Sequence, residues 1–397
     1  MVKIVYNAPN RAPHYSSARD LYDAGVLKTF VCGFSRLSPR APFPEIGNTL
    51  RRVDQLQTLY VASLKLKMPQ PISDELAYLA KLQIDKGSRT ALQGADVFVY
   101  YNGCGLESAR WFGRNGGINI VEVVNCHVQH QEQLMAEEHK RLGLPWRPFH
   151  GREVKRRVTE VEEADYVLLP SRFVARSLLA KGIPSERLLR VPYRMENIPG
   201  STSAISPKTV DDGTFRVLYV GSISVRKGLV YLIEAFRQLK HPKKELWLVG
   251  PMSTPSGLEN ISLPEGTKFF GPLKGDALKQ AYTSATVFCL PSIEDGFGLV
   301  VNEALIYGLP VVTTENTGAE ELLSDGKGGT VVPIRDSSAI ADYFTRLAED
   351  RDFLALQSRE AAEKAVRLKA ESQNSASLSA TLIKAFEQHS TKVCKSN

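Results

Sequence analysis

Residues 285–312 read ATVFCLPSIEDGFGLVVNEALIYGLPVV, and the order of apolar runs, turns and glycines in them decides the fold. Val287-Phe288-Cys289-Leu290 is short and apolar, as a strand buried on both faces must be, and Pro291-Ser292 ends it. The spacing then predicts a helix over Leu299 to Tyr307, stopped at Gly308, before Leu309 to Val312 opens another strand. Glu303 is the odd residue in that helix, because a carboxylate among Val300, Val301, Ala304, Leu305 and Ile306 is costly to bury without a polar partner. Asp295 stands eight residues earlier, on the loop. Both acids can face one ligand lying over the N-terminal end of the helix, where the amides of Gly296, Phe297, Gly298 and Leu299 offer donors to an anion. On this pattern alone, a helix-capping Asp295 and a surface Glu303 is the alternative.

At 397 residues the chain exceeds what one core usually serves, so two domains of roughly 200 residues are expected. With 43% hydrophobic and 23% charged residues it has the composition of an ordinary globular protein. A formal net charge of +7 suits phosphates, nucleotide diphosphates, anionic lipid or nucleic acid, and selects none of them. Nucleic acid is disfavoured by the lack of zinc-finger spacing, an RNP-like aromatic strand or a long basic tract. The five cysteines, Cys32, Cys104, Cys126, Cys289 and Cys394, are scattered and without CxxC spacing, which argues for a reducing compartment and against structural zinc. MVKIVYNAPNR has no long apolar core and no run of eighteen apolar residues follows, so neither a signal peptide nor a membrane span is expected. A cytoplasmic chain is the expectation, with peripheral docking on an anionic membrane left open because no clearly amphipathic basic helix settles it.

In the first half, Lys3 to Tyr6 predicts a strand, and the loop Asn7-Ala8-Pro9-Asn10 lacks the glycine fingerprint of a first-turn dinucleotide site. A short helix over Ala18 to Ala24, a strand over Leu27 to Phe34, an irregular loop to Leu50, and helices over Arg51 to Leu66 and Asp74 to Gln83 follow. Ala95 to Tyr100 is a firmer strand, and Asn102-Gly103-Cys104-Gly105 turns it into the helix Leu106 to Phe112. Glycines at such a turn admit a ligand to the backbone, or serve only a tight turn. Ile118 to Val124 delivers Asn125, Cys126 and His127 to a C-terminal strand end, the edge where ligands sit in open α/β sheets. His127 and His130 have no well-spaced third ligand, so a metal site is not expected, and a structural role for His127 stays open on spacing alone. Ser171 is expected to cap the helix Phe173 to Ala180 after the strand Asp165 to Pro170.

Ser- and Pro-bearing residues 201–214 read as a linker between an N-terminal domain, 1–200, and a C-terminal domain, 215–375. Residues 376–397 read as a helix returning to the first domain and a frayed end. After the strand Phe215 to Val220, Gly221-Ser222 and Arg226-Lys227-Gly228 lead into the helix Leu229 to Leu239. Lys227 charge, the Ser222 hydroxyl and loop amides make a diphosphate grip that is not a P-loop, and a solvated Arg226-Lys227 pair is the alternative. The alternation of strands and helices in both halves predicts two parallel sheets covered on both faces.

Three stretches together resemble the GT-B glycosyltransferases of family 4: VLYVGSISVRKGLVYLIEAF from Val217, FCLPSIEDGFGLVVNEALIYGLPVVTT from Phe288 and TGAEELLSDGKGG from Thr317. A looser likeness extends to VLLPSRFVARSLLAKG and VPYRME in the first half. The resemblance implies two Rossmann-like, doubly wound α/β domains facing across a cleft. It implies that Glu303 holds the ribose hydroxyls of a nucleotide sugar, that Asp295 meets the donor sugar, and that amides near Gly298 and Leu299 take the diphosphate. Lys227 matches the phosphate-binding lysine of the family, whereas Ser222 stands where an arginine is common; Arg226 is the candidate to supply that charge. His127, within NCHVQH, matches the active-site histidine of the N-terminal domain, with Asn102, Gly103 and Asn125 as further acceptor-side candidates. Asp295 stands where glutamate is usual, and Arg194 and Glu196 depart from the family pattern at the end of the first domain.

The implied activity is metal-independent, retaining transfer of a sugar (hexosyl type) from a nucleotide-diphosphate donor to a hydroxyl of a glycan, lipid or small molecule, with no cofactor. Two rivals are retained: a GT-B phosphorylase-like enzyme using a sugar phosphate, and a catalytically weak nucleotide-sugar-binding protein. Donor base, sugar, acceptor and oligomeric state are not specified by these motifs.

Overall fold

The computed structural model describes residues 2–10, 13–34, 44–193, 213–374 and 377–396. Most of the expected linker, and with it Arg194 and Glu196, lies outside those residues. The first half holds strands β1 (Ile4–Ala8), β2 (Leu27–Cys32), β3 (Leu50–Arg52), β4 (Val97–Tyr101), β5 (Ile118–Glu122), β6 (Tyr166–Leu169) and β7 (Leu188–Arg190). They form one sheet of order β3-β2-β1-β4-β5-β6-β7, parallel throughout. The second half holds β8 (Phe215–Val220), β9 (Lys244–Val249), β10 (Thr267–Gly271), β11 (Val287–Leu290), β12 (Val311–Thr314) and β13 (Gly329–Val332). Their order is β10-β9-β8-β11-β12-β13, again parallel. β1, β5, β6, β11 and β12 are buried along their whole length, the consequence of helices covering both faces.

Each sheet reverses its winding once, between β1 and β4 in the first and between β8 and β11 in the second. At such a switch point the loops leaving the two neighbouring strands turn to opposite faces and open a crevice between them. The pairing of Val287 with Val217 and of Phe288 with Leu218 therefore brings the loop after β8 beside the loop after β11. The two halves keep separate cores, one around Phe215, Phe236, Phe288 and Phe344, and others on the two faces of the first sheet. The last helix, Leu378–Ser396, inserts Leu378, Leu382 and Ala385 among Tyr6, Phe30 and Ile120 of the first half. Ser379 N also donates to Asp20 Oδ2 at 3.2 Å.

Three elements differ from their sequence pattern. Leu50–Arg52 is an edge strand on Phe30–Cys32, so the helix expected from Arg51 begins at Gln55. A three-residue edge strand takes its hydrogen bonds from its neighbour, which no local pattern reports. The next helix runs over Gln70–Ser88, longer at both ends than its core spacing. The stretch read as a frayed end continues as helix to Ser396.

Candidate active site

The crevice between β8 and β11 gathers most of the charged candidates. Gly228, at φ 62°, ends the first loop and starts the helix Leu229–Gln238. A Cβ there would lie 2.2 Å from Pro291 O, so only glycine lets the two loops close on each other. The consequence is an ion pair between Lys227 Nζ and Asp295 Oδ2, both largely buried. Burial alone would raise the Asp295 pKa, but Lys227, Arg226 and the Phe297 amide hold it below the usual carboxylate value. Lys227 is pulled the other way: burial lowers its pKa, and Asp295 only partly restores it. Asp295 is thus a fixed anion with its countercharge already in place. The Phe297 amide serves Asp295, and no side chain caps the helix Leu299–Ile306, so its first amides are the remaining donors for an anion. Gly298 at φ 73° sets that start.

Glu303, one turn into this helix, accepts from the Tyr282 hydroxyl at 2.7 Å. Tyr282 stacks on Tyr307 at 5.2 Å, so the carboxylate sits on an aromatic shelf that fixes its rotamer. Ser222 is held from behind, its carbonyl accepting from Tyr219 Oη at 2.7 Å, and its hydroxyl lies 3.5 Å from Ser224 Oγ. Arg226 is placed differently from Lys227. Its Nη1 donates to Glu294 O at 2.7 Å and lies 3.3 Å from Glu294 Oε2, so its charge is committed to a neighbouring acid.

Glu294 is the residue that sequence reasoning passed over. Its carboxylate is fully buried, and it accepts from Cys126 N at 3.1 Å and Gln131 Nε2 at 2.9 Å, both in the first domain. A second buried carboxylate crosses in the opposite direction. Glu138 of the first domain accepts from Tyr231 Oη and from Arg335 Nε, each at 2.7 Å. Arg335 sits at φ 68°, a left-handed conformation rare for arginine, which this contact helps to hold. Gln131 and Glu138 lie on one helix, Val128–Arg141, so that helix is clasped at both ends by the second domain. The backbones also touch: a Cβ on Gly296 would fall 1.8 Å from Val124 O, and Ser171 Oγ donates to Gly296 O at 2.6 Å. Ser171 caps its own helix as expected, through Val174 N. The one signal for Glu294 in the sequence was a carboxylate beside Asp295 with no local countercharge.

His127 is the N-cap of the clasped helix. Its Nδ1 accepts from Gln129 N at 3.3 Å and its own amide donates to Ser177 Oγ at 2.9 Å. Burial first, then Lys181, Arg157 and His130, push its pKa down to about 4. The ring is therefore neutral near pH 7, and with Nδ1 accepting, Nε2 carries the proton and is a donor. His130 shifts downward too, chiefly from burial. Among the described residues no three His, Cys, Asp or Glu side chains gather as a metal group.

Asn102 and Gly103 are drawn into a structural network. Asn102 donates to Arg157 O at 2.9 Å and to Glu160 Oε2 at 3.2 Å, and its Oδ1 accepts from Arg157 Nε. Buried Glu160 takes the amides of Gly103, Gly105 and Leu106, so a carboxylate of the chain fills this helix start. Burial raises the Glu160 pKa to about 7 against the pull of Arg156 and those amides. Asn125 packs beside Gly296, and the Phe297 ring lies edge-on to Tyr193 at 5.4 Å. Phe297 and Tyr193 border a cavity of about 610 Å³ at the back of the interdomain contact.

Two parallel, doubly wound sheets facing across this contact are the GT-B fold. Residues 214–350 match the family described as glycosyl transferases group 1. The chain is 28% identical over 219 residues to the sulfoquinovosyl transferase SQD2 of Arabidopsis thaliana, covering 51% of this chain and 42% of that protein. It is 28% identical over 223 residues to the amylovoran biosynthesis glycosyltransferase AmsK of Erwinia amylovora, covering 51% and 54%. The matches therefore span about half the length of these relatives. Among solved structures, sucrose-phosphate synthase of Thermosynechococcus elongatus superposes with a TM-score of 0.64 at 17% identity, over 97% of this chain and 100% of that one. HepE of Anabaena, in complex with UDP and glucose, superposes with a TM-score of 0.61 at 16% identity, over 94% and 99%. At these identities the superpositions establish the fold alone.

Proposed function

We propose that this protein transfers a sugar from a nucleotide-diphosphate donor to a hydroxyl acceptor, with retention of the anomeric configuration. The observation that carries the reading is the arrangement at the switch point of the second sheet: Lys227 paired to Asp295, a free helix start at Gly298 and Leu299, and Glu303 one turn deeper. Each part answers to one part of a nucleotide sugar. Glu303 accepts from vicinal ribose hydroxyls, the helix-start amides and Lys227 meet the diphosphate, and Asp295 accepts from hydroxyls of the sugar. HepE, with the same fold, has been captured with UDP and glucose, which supports a donor of this class.

In the step proposed, the bond between the anomeric carbon and the diphosphate oxygen breaks. Lys227 and the helix start stabilise the negative charge that develops on the departing oxygen. The acceptor oxygen bonds to the anomeric carbon on the same face, and its proton passes to the departing phosphate. The neutral His127, donating from Nε2, orients a sugar or acceptor oxygen across the contact. Asp295 is engaged by Lys227 and the Phe297 amide, and it is not assigned the part of a covalent nucleophile. The same groups are proposed to work without an obligatory metal, since positive charge and amide dipoles already face the leaving group. Four described cysteines are free and buried, which fits a cytoplasmic setting.

The test is a thermal-shift screen against UDP-, GDP- and ADP-sugars, followed by product NMR with the donor that stabilises the protein. Stabilisation by one nucleotide sugar and an anomeric configuration like the donor's are expected. An inverted product would overturn the mechanism. Turnover only with a sugar phosphate and inorganic phosphate would favour the phosphorylase reading.

A further inference from the structure

The helical hairpin Gln55–Lys65 and Gln70–Ser88 carries a concentration of exposed apolar side chains outside the catalytic crevice. Leu59, Val61, Leu64, Leu66, Met68 and Ile72 all face solvent, and Leu66 is 74% exposed. Every residue from Leu64 to Ile72 is exposed, so the sequence LKLKMPQPI is presented whole at the tip. Clustered exposed apolar side chains are uncommon on monomer surfaces and mark sites of interaction with a partner or a membrane.

The tip is not a loose loop. Lys67 adopts φ 51°, and the turn is closed by Lys67 N to Leu64 O at 3.2 Å and Met68 N to Ser63 O at 3.0 Å. Beneath it, buried Ser63 and Ser73 join their hydroxyls at 2.9 Å and lock the two helices together. The apolar side chains are thus held outward by a rigid frame.

Its charge is one-sided. No carboxylate occurs between Asp54 and Asp74, while Lys65 and Lys67 alternate with Leu64, Leu66 and Met68. The first acids beyond the tip are already neutralised: Asp74 pairs with Arg147 at 3.1 Å, and Glu75 pairs with Arg152 and with His150 at 3.3 Å. Exposed leucine and methionine alternating with unpaired-sign lysines match a surface that is apolar beneath an anionic layer. Among the described residues no helix is long and apolar enough to cross a membrane, so this contact lies in the interface plane.

We propose that the hairpin tip, centred on Leu66, Lys67 and Met68, docks the protein on an anionic phospholipid surface. The apolar side chains enter the headgroup boundary and the two lysines meet lipid phosphates. This proposal does not rest on the donor or acceptor assignments above.

The test is co-sedimentation of the full chain with vesicles of phosphatidylcholine alone or with about one third phosphatidylglycerol. Binding to the anionic vesicles, weakened by salt and small with the neutral ones, is expected. The double variant Lys65→Gln, Lys67→Gln should lower partitioning roughly thirty-fold, taking ~1 kcal/mol for each lysine. Leu66→Ser should lower it about ten-fold while leaving the melting temperature unchanged, because the side chain is already in water. Equal partitioning of wild type and variants, or of wild type between neutral and anionic vesicles, would overturn the proposal. So would a concentration-dependent dimer that Leu66→Ser dissolves in a chain without vesicle binding, which would assign the tip to a second copy.

Discussion

Glu294 makes the sharpest demand on the structure, because its carboxylate belongs to one domain and most of its hydrogen bonds to the other. Glu294→Ala strands three groups: Cys126 N, Gln131 Nε2 and the Arg226 guanidinium. Removing one member of a buried ion pair costs about 3–5 kcal/mol. Arg226 retains 31% of its side-chain exposure and a bond to the Glu294 carbonyl, so the lower end, about 3 kcal/mol, is expected. Glu294→Gln keeps one oxygen for Cys126 N and loses the charge, for which about 2 kcal/mol is expected from the strength of hydrogen bonds to ionised groups. For an unfolding unit the size of one domain, 1 kcal/mol moves the melting temperature by about 2–4 °C, so the alanine variant should melt roughly 6–12 °C lower. The assay is differential scanning calorimetry with small-angle scattering on the same samples. The clasp predicts a larger radius of gyration for the alanine variant before melting, since the lost bonds hold domain to domain. A melting temperature within about 2 °C of wild type with an unchanged radius would refute the reasoning.

Other consequences follow from the same contacts. Gly296→Ala should cost about 1–3 kcal/mol by forcing a methyl into Val124 O, whereas Gly151→Ala, with open space around it, should be silent in the same melt. His127 binds its proton less readily in the fold, at about 4 rather than 6.5, so its contribution to stability is present above pH 6.5 and is lost as pH falls toward 4. That loss is on the order of 3 kcal/mol, and His127→Asn should flatten the acid side of a urea-midpoint profile. Tyr282→Phe removes the hydroxyl that holds Glu303 and should weaken nucleotide binding about five-fold by calorimetry, the equivalent of one hydrogen bond of ~1 kcal/mol. Lys227→Met should abolish the stabilising effect of a nucleotide sugar, and retention of that effect would remove Lys227 from the diphosphate.

The parallel, two-sheet architecture was legible because strands buried on both faces leave continuous apolar runs such as Val287 to Leu290, and because glycine and proline punctuate them. The placement of Lys227, Asp295 and Glu303 was legible for a related reason: Lys227 and Asp295 stand on loops that follow strands, and Glu303 lies one turn into the next helix, so each position is tied to a local boundary. Asn102 and Gly103 were also at such a boundary, yet the amides there are taken by Glu160, more than fifty residues away in the chain. No local pattern distinguishes an amide cluster open to a ligand from one filled by the chain itself.

The sequence by itself thus determined where strands end, which loops carry charge, and that Asp295 and Glu303 stand eight residues apart across a helix start. What Asp295 pairs with was decided only in three dimensions, where strand order sets β8 against β11 and presses Lys227 onto it. The adjacent acid went the other way. Glu294 and Asp295 are neighbours in the chain, but successive residues of an extended loop point to opposite sides, so one faces the crevice and the other enters the partner domain. Burial and countercharge are properties of what packs from a distance, and they separated two carboxylates that the sequence shows as a pair.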